Sequence, residues 1–127
     1  MSKYSAPIKL TLRGVPPSLN RFAGRKNTWQ YRAEKERWTN AVQWAIKAQG
    51  CKPPEPFERA AVTISYYFPD ARRRDPDNYS GKLLLDGLTR GGVIVDDSFR
   101  HITLTVTGAV DKKSPRTEII VRGVESS

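Results

Sequence analysis

"RAAVTISYYFP", residues 59–69, is the stretch of this 127-residue chain that most clearly specifies a structure. It is rich in β-branched and aromatic residues, a composition that predicts a β-strand. After it, "YSGKLLLDGLTR" (79–90) predicts a helix that ends at Gly91 and Gly92. Before it, apolar residues recur at helical spacing from about Tyr31 to Gln49, and "IKLTLRG" (8–14) alternates as a strand does.

The segments between and after these elements complete an α+β pattern. "VPPSLNR" has the composition of a turn, "FAGRKNTW" predicts a mobile basic loop, and "CKPPEP" predicts an irregular connection. "VIVDD" predicts a short buried strand or the end of a strand, followed by strands over 101–110 and 116–124. We therefore predict one α/β (α+β) domain over residues 1–127, with a mixed sheet and two main helices.

Composition favours a polyanionic partner. The formal net charge is +9, from 22 Lys and Arg against 13 Asp and Glu, and nucleic acid is the first candidate. No apolar run is long enough to cross a membrane, and "MSKYSAPIKL" lacks the apolar stretch of a secretory signal, so we expect a cytoplasmic protein. Cys51 is the single cysteine, and we expect it to be an ordinary thiol.

The acidic residues are concentrated in one short span of this basic chain. A protein that only binds phosphates gains nothing from carboxylates at that place, whereas a protein that cleaves phosphodiesters needs them. The pattern therefore favours a nuclease. The acids in question are Asp75, Asp77, Asp86, Asp96 and Asp97.

"RRRDPDN", residues 72–78, carries the first pair of these acids. Pro76 biases Asp75 towards an extended backbone, and residues two apart in an extended segment point to the same side. Asp75 and Asp77 would then present repelling carboxylates together, and a divalent cation such as Mg²⁺ would relieve the repulsion. A plainer alternative is that Asp77 or Asn78 caps the following helix.

The remaining acids lie on the next two elements. On the predicted helix, Lys82 and Asp86 are four residues apart and share a face, as an ordinary exposed ion pair also would. In "VIVDDS" an apolar strand ends in two acids. Because adjacent strand residues face opposite ways, only one of Asp96 and Asp97 can easily join the first pair, and a charged turn is the alternative.

Other catalytic schemes fit poorly. The single histidine, His101, excludes sites built on several histidines, and the single cysteine excludes a cysteine zinc site. An EF-hand beginning at Asp75 would place Ser80 where glycine belongs. The chain has no phosphate-binding loop or dinucleotide fingerprint, and we expect no organic cofactor.

Metal-assisted phosphodiester hydrolysis remains. One or two Mg²⁺ ions held by Asp75, Asp77 and one of Asp96 and Asp97 would activate water. Lys82 would neutralise charge that develops on the scissile phosphate. Basic residues would grip neighbouring phosphates without recognising sequence. The expected DNA-binding residues are Arg72, Arg73, Arg74, Arg21, Arg25 and Lys26.

"RRRDPDNYSGKLLLDGLTRGGVIVDDS" resembles the signature of the RusA family of Holliday-junction resolvases, and "PPSLNR" resembles a second element of that family. The resemblance covers most of the chain. It implies a homodimer of mixed α/β fold that uses Mg²⁺, with Mn²⁺ as a substitute, to introduce paired nicks across a four-way DNA junction. It also implies an origin in a bacterium, phage or prophage.

Carried over by position, the family's catalytic residues fall on Asp75, Asp77, Asp97 and Lys82. Asp86 matches a further acidic position and ranks below them, as does Asp96. One departure is that Lys82 stands five residues after Asp77, whereas the family pattern has four.

Two alternative functions stay open. A non-catalytic DNA- or RNA-binding accessory protein would use the basic charge and Trp29, which could stack on a base. Alternatively, the protein could be a nuclease that acts on other branched DNA.

Overall fold

The computed structural model describes residues 7–22 and 28–124 and forms a small α+β domain. The elements are β1 (Ile8–Arg13), α1 (Thr28–Gln49), β2 (Ala60–Phe68), α2 (Leu85–Arg90), β3 (Ile102–Val110) and β4 (Arg116–Gly123). Two short 3₁₀ turns lie at Leu19–Phe22 and Pro76–Asn78. The predicted mixed sheet with two helices is confirmed.

The four strands form one sheet in the order β1-β4-β2-β3. β4 pairs antiparallel with both β1 and β2, and β2 pairs parallel with β3. The parallel pair needs a crossover, which the segment carrying α2 provides. The segment with the five candidate acids is therefore the connection between two neighbouring parallel strands.

One face of the sheet carries the hydrophobic core. The burial of β2 alternates along its whole length, and Val62, Ile64 and Tyr66 are among its buried side chains. They lie in register with buried residues of β4, such as Ile119 opposite Ile64. α1 and α2 pack against each other, and α1 also packs on β1. The domain is thus a two-layer structure whose other sheet face is exposed to solvent.

The two helices approach closely at Gly87. A methyl group placed there would lie 2.6 Å from Cβ of Val42 and 2.9 Å from the backbone oxygen of Thr39. No side chain can occupy that space unless α1 and α2 separate. Gly87 is therefore required for the helix–helix contact that positions the acidic connection.

We expect Gly87→Ala to lower the free energy of unfolding by about 1–3 kcal/mol, because it overpacks this contact. Urea unfolding measures the effect. In the Val42→Ala background the same change should cost less, since part of the crowding is gone. A Gly87→Ala protein as stable as the unmodified one would contradict this packing.

α2 is shorter than the predicted helix over 79–90. The first six residues of that prediction, 79–84, form bends and turns and not a helix. The hydroxyl of Tyr66 donates a hydrogen bond to the backbone oxygen of Ser80 (2.5 Å), and Gly81 packs on the side chain of Ile64. These contacts with β2 hold the chain in a bend. They come from a distant strand, so local periodicity could not reveal them.

Three other expectations need adjustment. α1 begins at Thr28, so Trp29 belongs to its first turn and not to a loop. The predicted short strand at 93–97 is reduced to a single parallel bridge between Ile94 and Phe57. Residues 23–27 of the predicted basic loop, which include Arg25 and Lys26, lie outside the described residues.

The two edges of the sheet differ in protection. At β1, the side-chain amide of Gln49 donates to the backbone oxygen of Thr11 (3.1 Å) and its oxygen accepts from the Thr11 N–H (3.4 Å), which covers the edge there. At β3, nine residues without charge or proline form the edge, and most of them are exposed. Edge strands usually carry charges, prolines or covers that prevent further pairing. β3 has neither charge nor proline.

Within residues 7–22 and 28–124, no helix combines the length and apolar character needed to cross a bilayer.

Candidate active site

The acidic connection begins with a segment that Arg74 holds in place. Its guanidinium bonds to the carboxylate of Asp70 (2.9 Å), donates to the Asp70 backbone oxygen (2.9 Å) and lies 4.3 Å from the centre of the Phe68 ring. Only 16% of its side chain is exposed, whereas 81% of Arg72 and 89% of Arg73 is exposed. Arg74 therefore anchors the segment, and its two neighbours face solvent.

Asp70 is the other half of this anchor. Its pKa is lowered, chiefly because the backbone N–H of Arg72 donates to the carboxylate, and Arg74 adds a side-chain hydrogen bond and positive charge. A carboxylate stabilised in this way stays ionised and keeps its hold on Arg74. The segment that enters the candidate site is thus fixed by local polar contacts.

Asp75 and Asp77 flank the start of a turn. Asp75 is extended (φ −101°, ψ 138°), as the following proline predicts, but Pro76–Asn78 is a 3₁₀ turn. The backbone N–H of Asn78 bonds to the oxygen of Asp75 (3.0 Å), and that of Tyr79 to the oxygen of Pro76 (3.1 Å). The predicted extended segment ends at Asp75, so strand alternation no longer places the two carboxylates on one side.

The plainer explanation for Asp77, a cap on the helix that follows, does not hold. The N-cap of α2 is Leu84, and no side chain makes a capping hydrogen bond there. Asp75 forms an ion pair with Arg73 (3.3 Å), but Asp77 is exposed and makes no ion pair with any described residue. Asp77 therefore has no evident structural task.

Lys82 and Asp86 do not form the ordinary ion pair that their spacing allows. Asp86 instead pairs with Arg90 one turn further along α2 (3.2 Å). Lys82 lies in the turn before α2, where its ammonium group is exposed and stands 5.3 Å from the centre of the Tyr31 ring. The face of the Tyr31 ring attracts this cation and leaves it accessible to solvent.

The two adjacent acids at the end of "VIVDDS" have different surroundings. The pKa of Asp96 is lowered, first because the backbone N–H of Asp97 donates to its carboxylate, and then through the hydroxyl of Ser98. Asp96 thus stabilises its own turn. Asp97 is exposed and forms no ion pair within the described residues, which makes it the more available ligand of the two.

These acids do not converge in one chain. Asp75 lines a cleft of about 60 Å³ with Thr107 and Gly108, far along β3, whereas Asp97 lies before β3 begins at Ile102. The five-residue advance from Ile102 to Thr107 corresponds to about 17 Å of strand. Accordingly, no group of three or more His, Cys, Asp or Glu side chains in residues 7–22 and 28–124 is arranged to hold a metal ion. Carboxylate oxygens are the ligands that Mg²⁺ takes, but within one chain these carboxylates are not placed to share an ion.

The two other residues considered for chemistry, His101 and Cys51, make contacts of a structural kind. Nδ1 of His101 lies 2.8 Å from the backbone oxygen of Glu58, two residues before β2 begins. Cys51 is half-buried, and burial raises the pKa of its thiol. Neither residue is placed as a nucleophile or a general base.

Sequence reasoning missed two features near these elements. Phe99, two residues after Asp97, is fully exposed. A single aromatic residue among charged ones forms no sequence pattern that would predict its exposure. Trp44 is 71% exposed on α1, where helical spacing places it on the side opposite the buried Val42 and Ile46. Exposure of this kind depends on which helix face the sheet covers.

The fold and the site together define a basic α+β domain that carries exposed carboxylates and arginines on the connection between two parallel strands. The family model described as endodeoxyribonuclease RusA matches residues 13–122, which is most of the chain, and the protein therefore belongs to the RusA family. No curated protein matches the chain. The protein is an endodeoxyribonuclease, and its family resolves Holliday junctions.

Proposed function

We propose that this endonuclease resolves four-way DNA junctions by paired symmetric nicks that depend on Mg²⁺. The observation that carries the proposal is Asp77, an exposed carboxylate that makes no ion pair with a described residue and closely follows the exposed Arg72 and Arg73 in the sequence. The chain that carries it belongs to the RusA family. A carboxylate repels DNA phosphates unless a cation intervenes. Its presence on a cationic surface is best explained by catalysis.

Asp75, Asp77 and Asp97 would hold the cation, because carboxylate oxygens are the ligands that Mg²⁺ takes, and Mn²⁺ accepts the same ligands. When bound, such an ion supplies an activated water and stabilises the departing oxygen. One chain alone does not gather these three side chains. The proposal therefore requires a second chain or a rearrangement on DNA, and we favour the second chain.

We further propose that the protein is a homodimer whose chains pair along β3. The free edge of β3 is nine residues long and uncharged. Leu104 and Val110 are exposed there, although they share the sheet face of their buried β2 neighbours Val62 and Phe68. A two-fold axis beside this edge would pair β3 antiparallel with its copy. The pairing would satisfy the open backbone groups and cover exposed apolar side chains.

Antiparallel pairing also bears on the separated acids. It reverses the second β3, so the start of the partner strand lies beside the far end of the first. Asp97 of one chain precedes the start of β3, and Asp75 of the other lies towards its end. Each dimer would then contain two composite sites related by the two-fold axis. Two symmetric sites are what paired nicks in a four-way junction require.

The basic side chains take complementary roles in this scheme. Lys82, exposed over Tyr31, would neutralise charge on the scissile phosphate. Arg72 and Arg73 would bind neighbouring phosphates, as would Arg21 at the end of the 3₁₀ turn Leu19–Phe22. Arg74 would act differently from our expectation for it, by fixing the segment and contributing its charge to the surface potential.

Cleavage of a labelled synthetic four-way junction tests the proposal. We expect Mg²⁺-dependent, symmetric nicks in opposite strands of the junction and none in a linear duplex of the same sequence. Cleavage of flaps or forks at equal rates would support a nuclease for other branched DNA. Tight, salt-dependent binding with no product under Mg²⁺ or Mn²⁺ would overturn catalysis in favour of a binding protein.

A further inference from the structure

A long groove runs along one flank of α1, on the side away from the acidic connection. It consists of three adjoining cavities of about 330, 550 and 290 Å³. The first two share Arg13 and Arg37 in their walls, and the last two share Arg21 and Glu34. We call this continuous feature the α1 groove.

Two exposed indoles mark the ends of the α1 groove. Trp44 lines the first cavity and is 71% exposed, and Trp29 lines the third and is 69% exposed. They are fifteen residues apart on one helix flank, which separates them by about 22 Å along the axis. Ala33 and Ala41 lie between them in the groove wall and leave it open. Large aromatic faces offered to solvent in this way suit a ligand that stacks.

The groove is also cationic. Arg37 stands midway between the indoles with 73% of its side chain exposed, and Arg13 faces it from the end of β1. Among the described residues that line the three cavities, Glu34 is the only acidic one, and it pairs with Arg37 (3.7 Å). Three arginines against one carboxylate favour a polyanion.

A third feature lies in the groove wall. Trp38 lines the first two cavities, is buried, and has an indole N–H without a hydrogen-bond partner among the described residues. A buried donor without an acceptor is unusual in a folded protein. Because this nitrogen has almost no exposed surface, a ligand acceptor in the groove would reach it only after the groove wall opens.

We propose that the α1 groove binds single-stranded DNA, with bases stacked on Trp29 and Trp44 and phosphates on the arginines. Stacking requires bases whose faces are free, which a paired duplex does not offer. An extended peptide added to β1 is a poorer occupant, because Gln49 covers that edge at Thr11. The groove goes beyond the proposed junction cleavage, since it would hold a strand that leaves the duplex away from the acids.

Tryptophan fluorescence during titration with oligothymidylate, in the presence of EDTA, tests this proposal without any cleavage. We expect quenching in the unmodified protein. Trp44→Ala and Trp29→Ala should each remove part of the quenching and weaken binding about tenfold, as loss of one stacked base does. Arg37→Ala should weaken binding and lower the slope of log affinity against log salt by about one.

Lys47→Ala is the matched control, because Lys47 is an exposed cation on the same helix that lines none of the three cavities. It should bind oligothymidylate like the unmodified protein. Unchanged affinity in both tryptophan variants, or an equal loss in Lys47→Ala and Arg37→Ala, would overturn the proposal. A change from dimer to monomer in Trp44→Ala would also overturn it and identify the groove as an interface with a second copy.

Because EDTA removes any divalent cation, this experiment stands apart from the nuclease proposal. A protein that cuts junctions but binds no oligothymidylate would refute the groove alone. A protein that binds oligothymidylate in the groove but cuts no junction would refute the proposed catalysis alone.

Discussion

Asp77→Asn is expected to reduce junction cleavage about a thousandfold or more, since the side chain would lose its charge in a site that depends on a cation worth several kcal/mol. Binding of the junction should persist or become tighter, because one carboxylate that repels phosphate is gone. Asp77 is exposed and makes no ion pair with a described residue, so the fold should be unaffected. Single-turnover cleavage and a binding titration in Ca²⁺ measure the two effects separately.

Asp86→Asn provides the matched control for this substitution. In both substitutions an amide group replaces a carboxylate. Asp86 lies on the same connection as Asp77, but it is paired with Arg90 (3.2 Å). We expect it to retain most of the cleavage activity. Full activity in Asp77→Asn would remove the acid pair from the mechanism, and an equal loss in both variants would show that the connection tolerates no change of charge.

The sheet and the long helix could be predicted because their signals are local. The β-branched and aromatic composition of residues 59–69 gave β2, which spans Ala60–Phe68, and helical periodicity gave α1 to within three residues at its start. Both signals lie within the sequence of the element itself. The order of elements then limited the fold to a small α+β domain.

The acidic connection could not be predicted in the same detail, because distant contacts decide it. The bond from Tyr66 to Ser80 delays the start of α2, and the i to i+3 bonds after Asp75 replace the expected extended segment with a turn. The different surroundings of Asp96 and Asp97 depend on which neighbour donates to which carboxylate. Adjacent aspartates in a sequence give no sign of that difference.

The separation of the acids along β3 is the main departure from the sequence-based picture of the site. Spacing in the sequence suggested one cluster, because it says nothing about the end of a strand at which a loop emerges. The parallel pairing of β2 with β3 places the Asp97 loop at the start of β3, whereas Asp75 lies near Thr107. The proposed homodimer through β3 would bring Asp75 of one chain near Asp97 of the other, and this arrangement leads to a specific experimental expectation.

That expectation is complementation between two inactive variants. Asp77→Asn and Asp97→Asn should each be inactive as homodimers. A mixed dimer contains one chain with Asp77→Asn and one chain with Asp97→Asn. One of its composite sites would then contain both changes. The other would contain the intact Asp77 of the second chain and the intact Asp97 of the first. We therefore expect the mixed dimer to recover cleavage at one of its two sites. Co-expression with two different affinity tags, followed by purification on both, yields the mixed dimer.

The products distinguish this arrangement from sites contained within single chains. A mixed dimer with one composite site should nick only one strand of the junction and leave it unresolved, whereas the unmodified protein is expected to cut two. If each site belonged to one chain, both sites of the mixed dimer would carry a change and no nick would form. Thr105→Lys, which places like charges near the middle of the paired β3 strands, should give monomers and abolish the complementation.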